Sequence, residues 1–203
     1  MAGLRERQKA DRQRRILEAA VAAFRESYRA ARIEDLAAAA EVSVGTVYNY
    51  YPTKGDILMA VVTMEVEEVL AQGEALVAEP PAGAARALGA LIDGYYDHSL
   101  VYLTKEMWRH AMAISIEAAD TPNGRHYAAL DAKLCDQVIR LLDRLRARGE
   151  IAPALPVAEL GRIVFNNLNQ MFMEFARDEE MTIVMLKRKV AAQTAPLAGL
   201  MAV

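Results

Sequence analysis

An all-α fold follows from three features of this 203-residue sequence. Apolar residues recur at intervals of three and four along almost its whole length, the spacing that lines one face of a helix. No stretch alternates apolar and polar residues for long enough to make a half-buried strand. Proline and glycine gather between the periodic stretches, at Pro52, Pro80-Pro81, Thr121-Pro122-Asn123-Gly124, and Gly149 to Pro156, where they end helices. With 54% hydrophobic and 25% charged residues the chain can bury a sizeable core, which excludes disorder for most of it.

Taken in order, Ile16, Leu17, Ala20, Val21 and Phe24 share one face of a first helix over about residues 4–27. Two short periodic pieces follow, Ile33 to Ala40 and Val44 to Tyr50. The few residues between them allow only a tight turn, and Ser43 is placed to cap the second piece. Thr53-Lys54-Gly55-Asp56 has the pattern of a capping box and opens a long helix carried by Ile57, Leu58, Val61, Val62, Val66, Val69 and Leu70. On that helix Glu65, Glu67 and Glu68 read as a solvated face. A further helix is expected from near Ala82, with Leu88, Leu91, Ile92, Tyr95 and Tyr96 as its stripe. An apolar stretch from Leu100 to Ala119 comes next, and Thr121 to Gly124 reads as a turn. Helices over about 125–148 and 157–177 follow, with Gly149 as a C-cap between them. The spacing predicts one more helix over 179–193 and a loose tail from Thr194 to Val203.

Charge is uneven along this arrangement. The whole chain carries a formal −3, yet residues 1–32 hold nine Lys/Arg against four acids, and residues 55–203 hold 14 against 20. A basic head on an acidic body points to an anionic partner at one end. The single cysteine, Cys135, cannot form an internal disulfide and reads as inert core. No apolar run approaches the ~18 residues that span a bilayer, so neither a signal peptide nor a membrane helix is expected, and the cytoplasm is the expected location.

The two short helices joined by a tight turn outline a helix-turn-helix, whose second helix enters the DNA major groove by its N-terminal residues. Here that end is Ser43-Val44-Gly45-Thr46. Gly45 permits close approach, Thr46 offers a hydroxyl and Val44 an apolar surface for a thymine methyl. Tyr48, Tyr50 and Lys54 carry groups suited to phosphate oxygens, and Asn49 pairs with an adenine edge if it faces the groove.

The order of these residues, Val42-Ser43-Val44-Gly45-Thr46-Val47-Tyr48-Asn49-Tyr50-Tyr51-Pro52-Thr53-Lys54, together with Ile16 to Phe24 and Ile33 to Ala37 before it, closely resembles the DNA-binding domain of the tetracycline-repressor (TetR) family over about residues 12–60. The resemblance implies a homodimeric, ligand-responsive transcription factor, usually a repressor, that binds a near-palindromic DNA operator. It implies phosphate contacts from Thr46, Tyr48, Tyr50 and Lys54, with Val44 and Gly45 at the groove. The implied organisation is a three-helix helix-turn-helix DNA-binding domain over 1–55 and a larger helical effector-binding and dimerisation domain over 56–203. Three departures from the family pattern stand out. The loop after the first helix lacks Gly and is one residue short, Arg32 stands where Ser or Thr usually caps, and Glu41 stands where the turn commonly has Gly.

Beyond residue 60 no motif is specific to the family. The helix over 157–177 is apolar over a wide arc, through Leu160, Val164, Phe165, Leu168, Met171, Phe172 and Phe175, and so buries more than one side. A homodimer through it and the 125–148 helix is expected, with a thicker monomeric core as the alternative. Tyr95, Tyr96, Trp108, Met112 and Phe172 are the side chains from which an apolar effector pocket is expected, with His98, His110, Asn166 or Asn169 as polar handles. A hydrophobic or aromatic small molecule would suit such a lining.

No cofactor, catalytic residue or metal ligand is expected. The three histidines form no HxxxH or HExxH, one cysteine excludes a Cys-rich zinc site, and GxSxG, phosphate-loop and dinucleotide motifs are missing. The rival readings are a helical protein-interaction module and a small-molecule enzyme.

Overall fold

A computed structural model describes residues 3–202, and the regular elements among them are all helices. Its helices are α1 (Leu4–Ser27), α2 (Ile33–Ala39), α3 (Val44–Tyr50), α4 (Lys54–Ala78), α5 (Ala84–His98), α6 (Lys105–Glu117), α7 (Pro122–Ala147), α8 (Val157–Arg177) and α9 (Ile183–Met201). The chain divides into two compact units. One joins residues up to Met64 with Tyr102–Arg125, and the other joins Glu65–Val101 with His126 onward. α4 is thus one continuous helix that begins in the first unit and ends in the second.

In the first unit, Ile16, Ala20 and Phe24 of α1, Leu36 and Ala37 of α2, Val47 of α3, and Ile57, Leu58 and Val61 of α4 are buried. α2 packs on both α1 and α3. The short helices rely on their ends. Ser43 Oγ accepts the Thr46 N–H at 3.1 Å, and Arg15 donates to the Ala40 carbonyl at 3.0 Å, closing the C-terminal end of α2. The capping box that opens α4 forms as the sequence predicts: Thr53 N–H donates to Asp56 Oδ2 at 2.7 Å and Asp56 N–H to Thr53 Oγ1 at 3.1 Å. Arg32 precedes α2 without capping it, and Glu41 takes φ +53°, the one positive-φ non-glycine among the described residues. That conformation costs a non-glycine residue about 1 kcal/mol.

Several sequence expectations are corrected. Helix α6 starts only at Lys105, because Thr104 accepts the Met107 N–H at 3.3 Å and caps it there. Residues 121–124 open α7 instead of forming a separate turn: Pro122 takes the first helical position, where a missing N–H costs nothing, and Thr121 Oγ1 accepts the Gly124 N–H at 3.2 Å. The expected loose tail is helix as far as Met201. Val190, Thr194, Ala198 and Met201 fall at helical spacing and are all buried, and α9 packs along α5 and α8. Beyond it, Ala152 N–H donates to the Met201 carbonyl at 3.1 Å. Val203 lies outside the described residues. Glu65 is not solvated. It is 1% exposed, and His98 Nδ1 lies 2.5 Å from its carboxylate while Nε2 lies 3.4 Å from Glu68. Helical spacing placed Glu65 with Glu68, and only the packing of α5 separates their surroundings.

The second unit is built on the apolar stripes of α5, α7, α8 and α9, including Leu88, Leu91, Leu141, Leu142, Val164, Phe175 and Leu186. One polar side chain, Gln137, is wholly buried among them. Its amide donates to the Leu70 carbonyl at 2.9 Å and to Glu74 at 2.6 Å, and its oxygen accepts from Tyr95 at 2.7 Å. Every polar atom of the amide is used, which removes most of the cost of burying it. Cys135 is half-buried rather than core, and burial pushes its thiol up.

Candidate nucleic-acid interface

α3 divides its residues by depth. Val47 is fully buried and anchors the helix, Val44, Thr46 and Tyr50 are half-buried, and Ser43, Gly45, Tyr48 and Asn49 are exposed, with Tyr48 47% accessible. Ser43 is committed to the cap, and its Oγ lies 2.8 Å from Thr46 Oγ1. The surface offered outward is therefore Gly45 with Tyr48 and Asn49, flanked by Val44, Thr46 and Tyr50.

Gly45 has no internal reason to be glycine. A Cβ built there meets nothing nearer than Ser43 Oγ at 3.9 Å, and its φ is not in the left-handed region. Glycine lowers helix propensity, so the fold alone would favour alanine at this position. Gly73, Gly124 and Gly161 are different, since a Cβ at each would lie within 2.6 Å of a neighbouring atom.

Beside α3, a polar recess of about 420 Å³ is lined by Lys9, Arg12 and Gln13 of α1 and by Thr46, Asn49 and Tyr50 of α3. It brings two cations, two amides and two hydroxyls onto one surface, the donor set that grips phosphate oxygens. Sequence reasoning found the basic excess of this segment but missed these three α1 residues. Their signal was the i, i+3, i+4 spacing of 9, 12 and 13, which places them on one face. Neighbouring cations are otherwise engaged: Arg14 pairs with Asp11 at 2.6 Å and Glu18 at 2.8 Å, and Arg15 holds the turn. Arg14 beside Asp11 holds that carboxyl below its usual range.

Lys54 is placed differently from the expected phosphate contact. Its ammonium donates to the carbonyls of Ala31 at 2.7 Å and Arg29 at 3.3 Å, and it lies 4.6 Å from the centre of the Tyr28 ring. Partial burial lowers its pKa. The loop after α1, which lacks the glycine of the family pattern, is held from the other side by Glu106 of α6, whose carboxylate accepts the N–H groups of Tyr28 at 3.2 Å and Arg29 at 3.3 Å. His110 packs on Tyr28 with ring centres 4.5 Å apart, and burial lowers its pKa.

The five residues expected to line an effector pocket are divided between the units. Trp108, buried, and Met112, half-buried, belong to the first. Tyr95, Tyr96 and Phe172 belong to the second. Tyr95 is spent on Gln137, and Tyr96 donates to the Leu168 carbonyl at 2.8 Å while stacking on Phe172 at 6.1 Å. Burial raises both phenols. Of the expected polar handles, His98 is committed to Glu65, Asn166 is exposed, and Asn169 lies 3.5 Å from Asp131. Among the described residues no group of three His, Cys, Asp or Glu is arranged to hold a metal, and no helix is long and apolar enough to cross a membrane.

This helix-turn-helix has relatives among known proteins. Residues 16–61 match the family described as bacterial regulatory proteins, tetR family. The transcriptional repressor KstR of Rhodococcus jostii is 32% identical over 139 residues, covering 68% of this chain; the match spans 59% of KstR's own length. Among solved structures, a TetR-family protein of Mesorhizobium loti superposes with a TM-score of 0.76 at 19% identity, covering 96% of this chain and 98% of that one. FadR of Bacillus subtilis, solved with stearoyl-CoA, gives 0.65 at 21% identity over 88% and 95%. The structural likenesses carry the fold, and the matched segment holds the cap, the glycine and the outward tyrosine described above; the chain belongs to the tetracycline-repressor family.

Proposed function

We propose that the protein is a ligand-responsive, DNA-binding transcriptional regulator. It acts as a repressor, held on a near-palindromic operator and released by a small hydrophobic or aromatic effector. The observation that carries the DNA reading is Gly45, an exposed helical glycine that no contact within the protein requires, beside a recess rich in hydrogen-bond donors. A bare backbone at the second residue of α3 lets a base edge or phosphate approach where a Cβ would stand.

In this reading residues 1–55 are the DNA-binding domain and 56–203 bind the effector and a second copy of the chain, through α7 and α8. Ile163, 54% exposed on α8, supports an apolar face there. The site of action is the cytoplasm. α4 is the mechanical link, since its first residues pack the helix-turn-helix and its later ones, through Leu70 and Glu74, hold Gln137. An effector that favours one position of α4 lowers operator affinity by its own difference in affinity between the two states. The acyl-CoA held by the Bacillus FadR structure belongs to that protein, and the effector class proposed for this chain rests on its own apolar and aromatic residues.

The test is retention of the DNA upstream of the protein's own coding region in mobility-shift and footprinting assays at several salt concentrations. Binding that weakens steeply with salt supports the proposal, and no retention at low salt contradicts it.

A further inference from the structure

From Arg5 to Arg12 every side chain of α1 is exposed, and the first buried residue after them is Ile16. At about 1.5 Å per residue, this stretch carries the helix roughly 12 Å past its packed part. One stripe runs through both parts. Arg5, Lys9, Arg12, Ile16, Ala20 and Phe24 follow one another at spacings of four, three, four, four and four, so they share a face. Over the core that face is apolar and buried, and where it runs out beyond the core it is cationic. The fold does not account for these cations. Asp11 and Glu18 are taken by Arg14 and Arg15, Glu6 turns back to the Gly3 N–H at 3.1 Å, and among the described residues no acid pairs with Arg5, Lys9 or Arg12. Arg5 also stands in the first turn, at the positive end of the helix dipole, where a cation weakens the helix. Lys9 and Arg12 line the recess against Thr46, Asn49 and Tyr50 of α3, and Arg5 continues their face one turn outward.

We infer that the exposed start of α1 is a second DNA-binding element, in which Arg5 grips the phosphate backbone of duplex lying outside the base pairs that α3 reads. The inference rests on the DNA-binding reading and adds to it a longer footprint that is indifferent to sequence. A reach of about 12 Å spans roughly three to four phosphates of one strand. Contacts of this kind add affinity and fix register without reading bases. Arg7 supplies the contrast: it is exposed and carries the same charge, but two residues on it stands on the opposite side of the helix.

Base substitutions across the upstream DNA first define a core, the pairs whose replacement changes affinity. Full-length protein is then titrated by fluorescence anisotropy, at fixed salt, with a core-only duplex and with the core carrying about five base pairs at each end, enough to cover that reach. Wild type should bind the flanked duplex at least about fivefold more tightly, with the gain unchanged when the flanks are scrambled and smaller at higher salt. Arg5→Ala should cut the gain to below about twofold, Arg5→Lys should keep most of it and Arg7→Ala all of it, with circular dichroism unchanged in the three variants. A gain that depends on flank sequence, that survives Arg5→Ala, or that falls equally in Arg7→Ala would overturn the inference. Wild type that binds neither duplex counts against the regulator reading itself, and wild type that binds both alike counts against the α1 element alone.

Discussion

The Lys54 ammonium donates to the Ala31 carbonyl at 2.7 Å, tying the first residue of α4 to the loop that precedes α2. With the Arg29 carbonyl and the Tyr28 ring also in reach, this cation organises the helix-turn-helix from within. Lys54→Met should destabilise the protein by about 1–2 kcal/mol in urea unfolding, from lost charge-assisted hydrogen bonds and the cation–ring contact. DNA affinity should fall while its salt dependence keeps its slope. A slope reduced by about one counterion would instead make Lys54 a direct phosphate contact.

Lys9 and Arg12 are expected to behave in the opposite way. Each lines the recess beside α3 from an exposed position on α1. Replacing either by Ala should leave stability within about 0.5 kcal/mol, weaken binding to all DNA sequences alike, and lower the salt slope by about one per residue. Anisotropy titrations across a salt series check this, and an unchanged slope removes them from the phosphate surface.

Gly73 lets α4 lie close to the buried amide of Gln137. A Cβ on Gly73 would stand 2.3 Å from Gln137 Oε1, and that side chain is held by Leu70, Glu74 and Tyr95. Gly73→Ala should therefore cost about 1–3 kcal/mol despite the better helix propensity of alanine. Thermal unfolding measures the difference, and a gain in stability would show that Gln137 moves aside freely.

Asp131 gives a pH dependence with a definite sign. Its folded pKa of about 6 lies above the ordinary value near 3.8, so the ionised carboxylate opposes folding. The penalty is absent below about pH 4, grows as pH rises through the folded pKa, and is complete above about pH 7. Asp131→Asn should raise the melting temperature by a few degrees at pH 7.5, with the gain vanishing toward pH 4. A gain that is constant with pH would assign the effect to packing.

Much of this was legible in the sequence because it is local. The Ser43 cap, the Thr53–Asp56 box, the extents of α1 and α8 and the positive φ at Gly149 depend on residues a few positions apart. What was not legible depends on neighbours distant in sequence. Glu65 is buried because α5 brings His98 to it, α9 continues because it packs along α5 and α8 and buries Thr194 and Ala198, and Lys54 turns inward because two loop carbonyls face it. The recess of Lys9, Arg12 and Gln13 likewise required the packing of α1 beside α3. The outward surface of α3, Gly45 with Tyr48 and Asn49, belongs with the local features because its residues share one short helix.

If the first turn of α3 is shaped for DNA rather than for the fold, Gly45→Ala separates the two demands. Because the added methyl meets only Ser43 Oγ, at an unstrained 3.9 Å, the melting temperature should stay the same or rise slightly. Affinity for the protein's own upstream DNA should fall at least tenfold. A variant that keeps full affinity would show that the bare backbone at Gly45 plays no part in DNA binding.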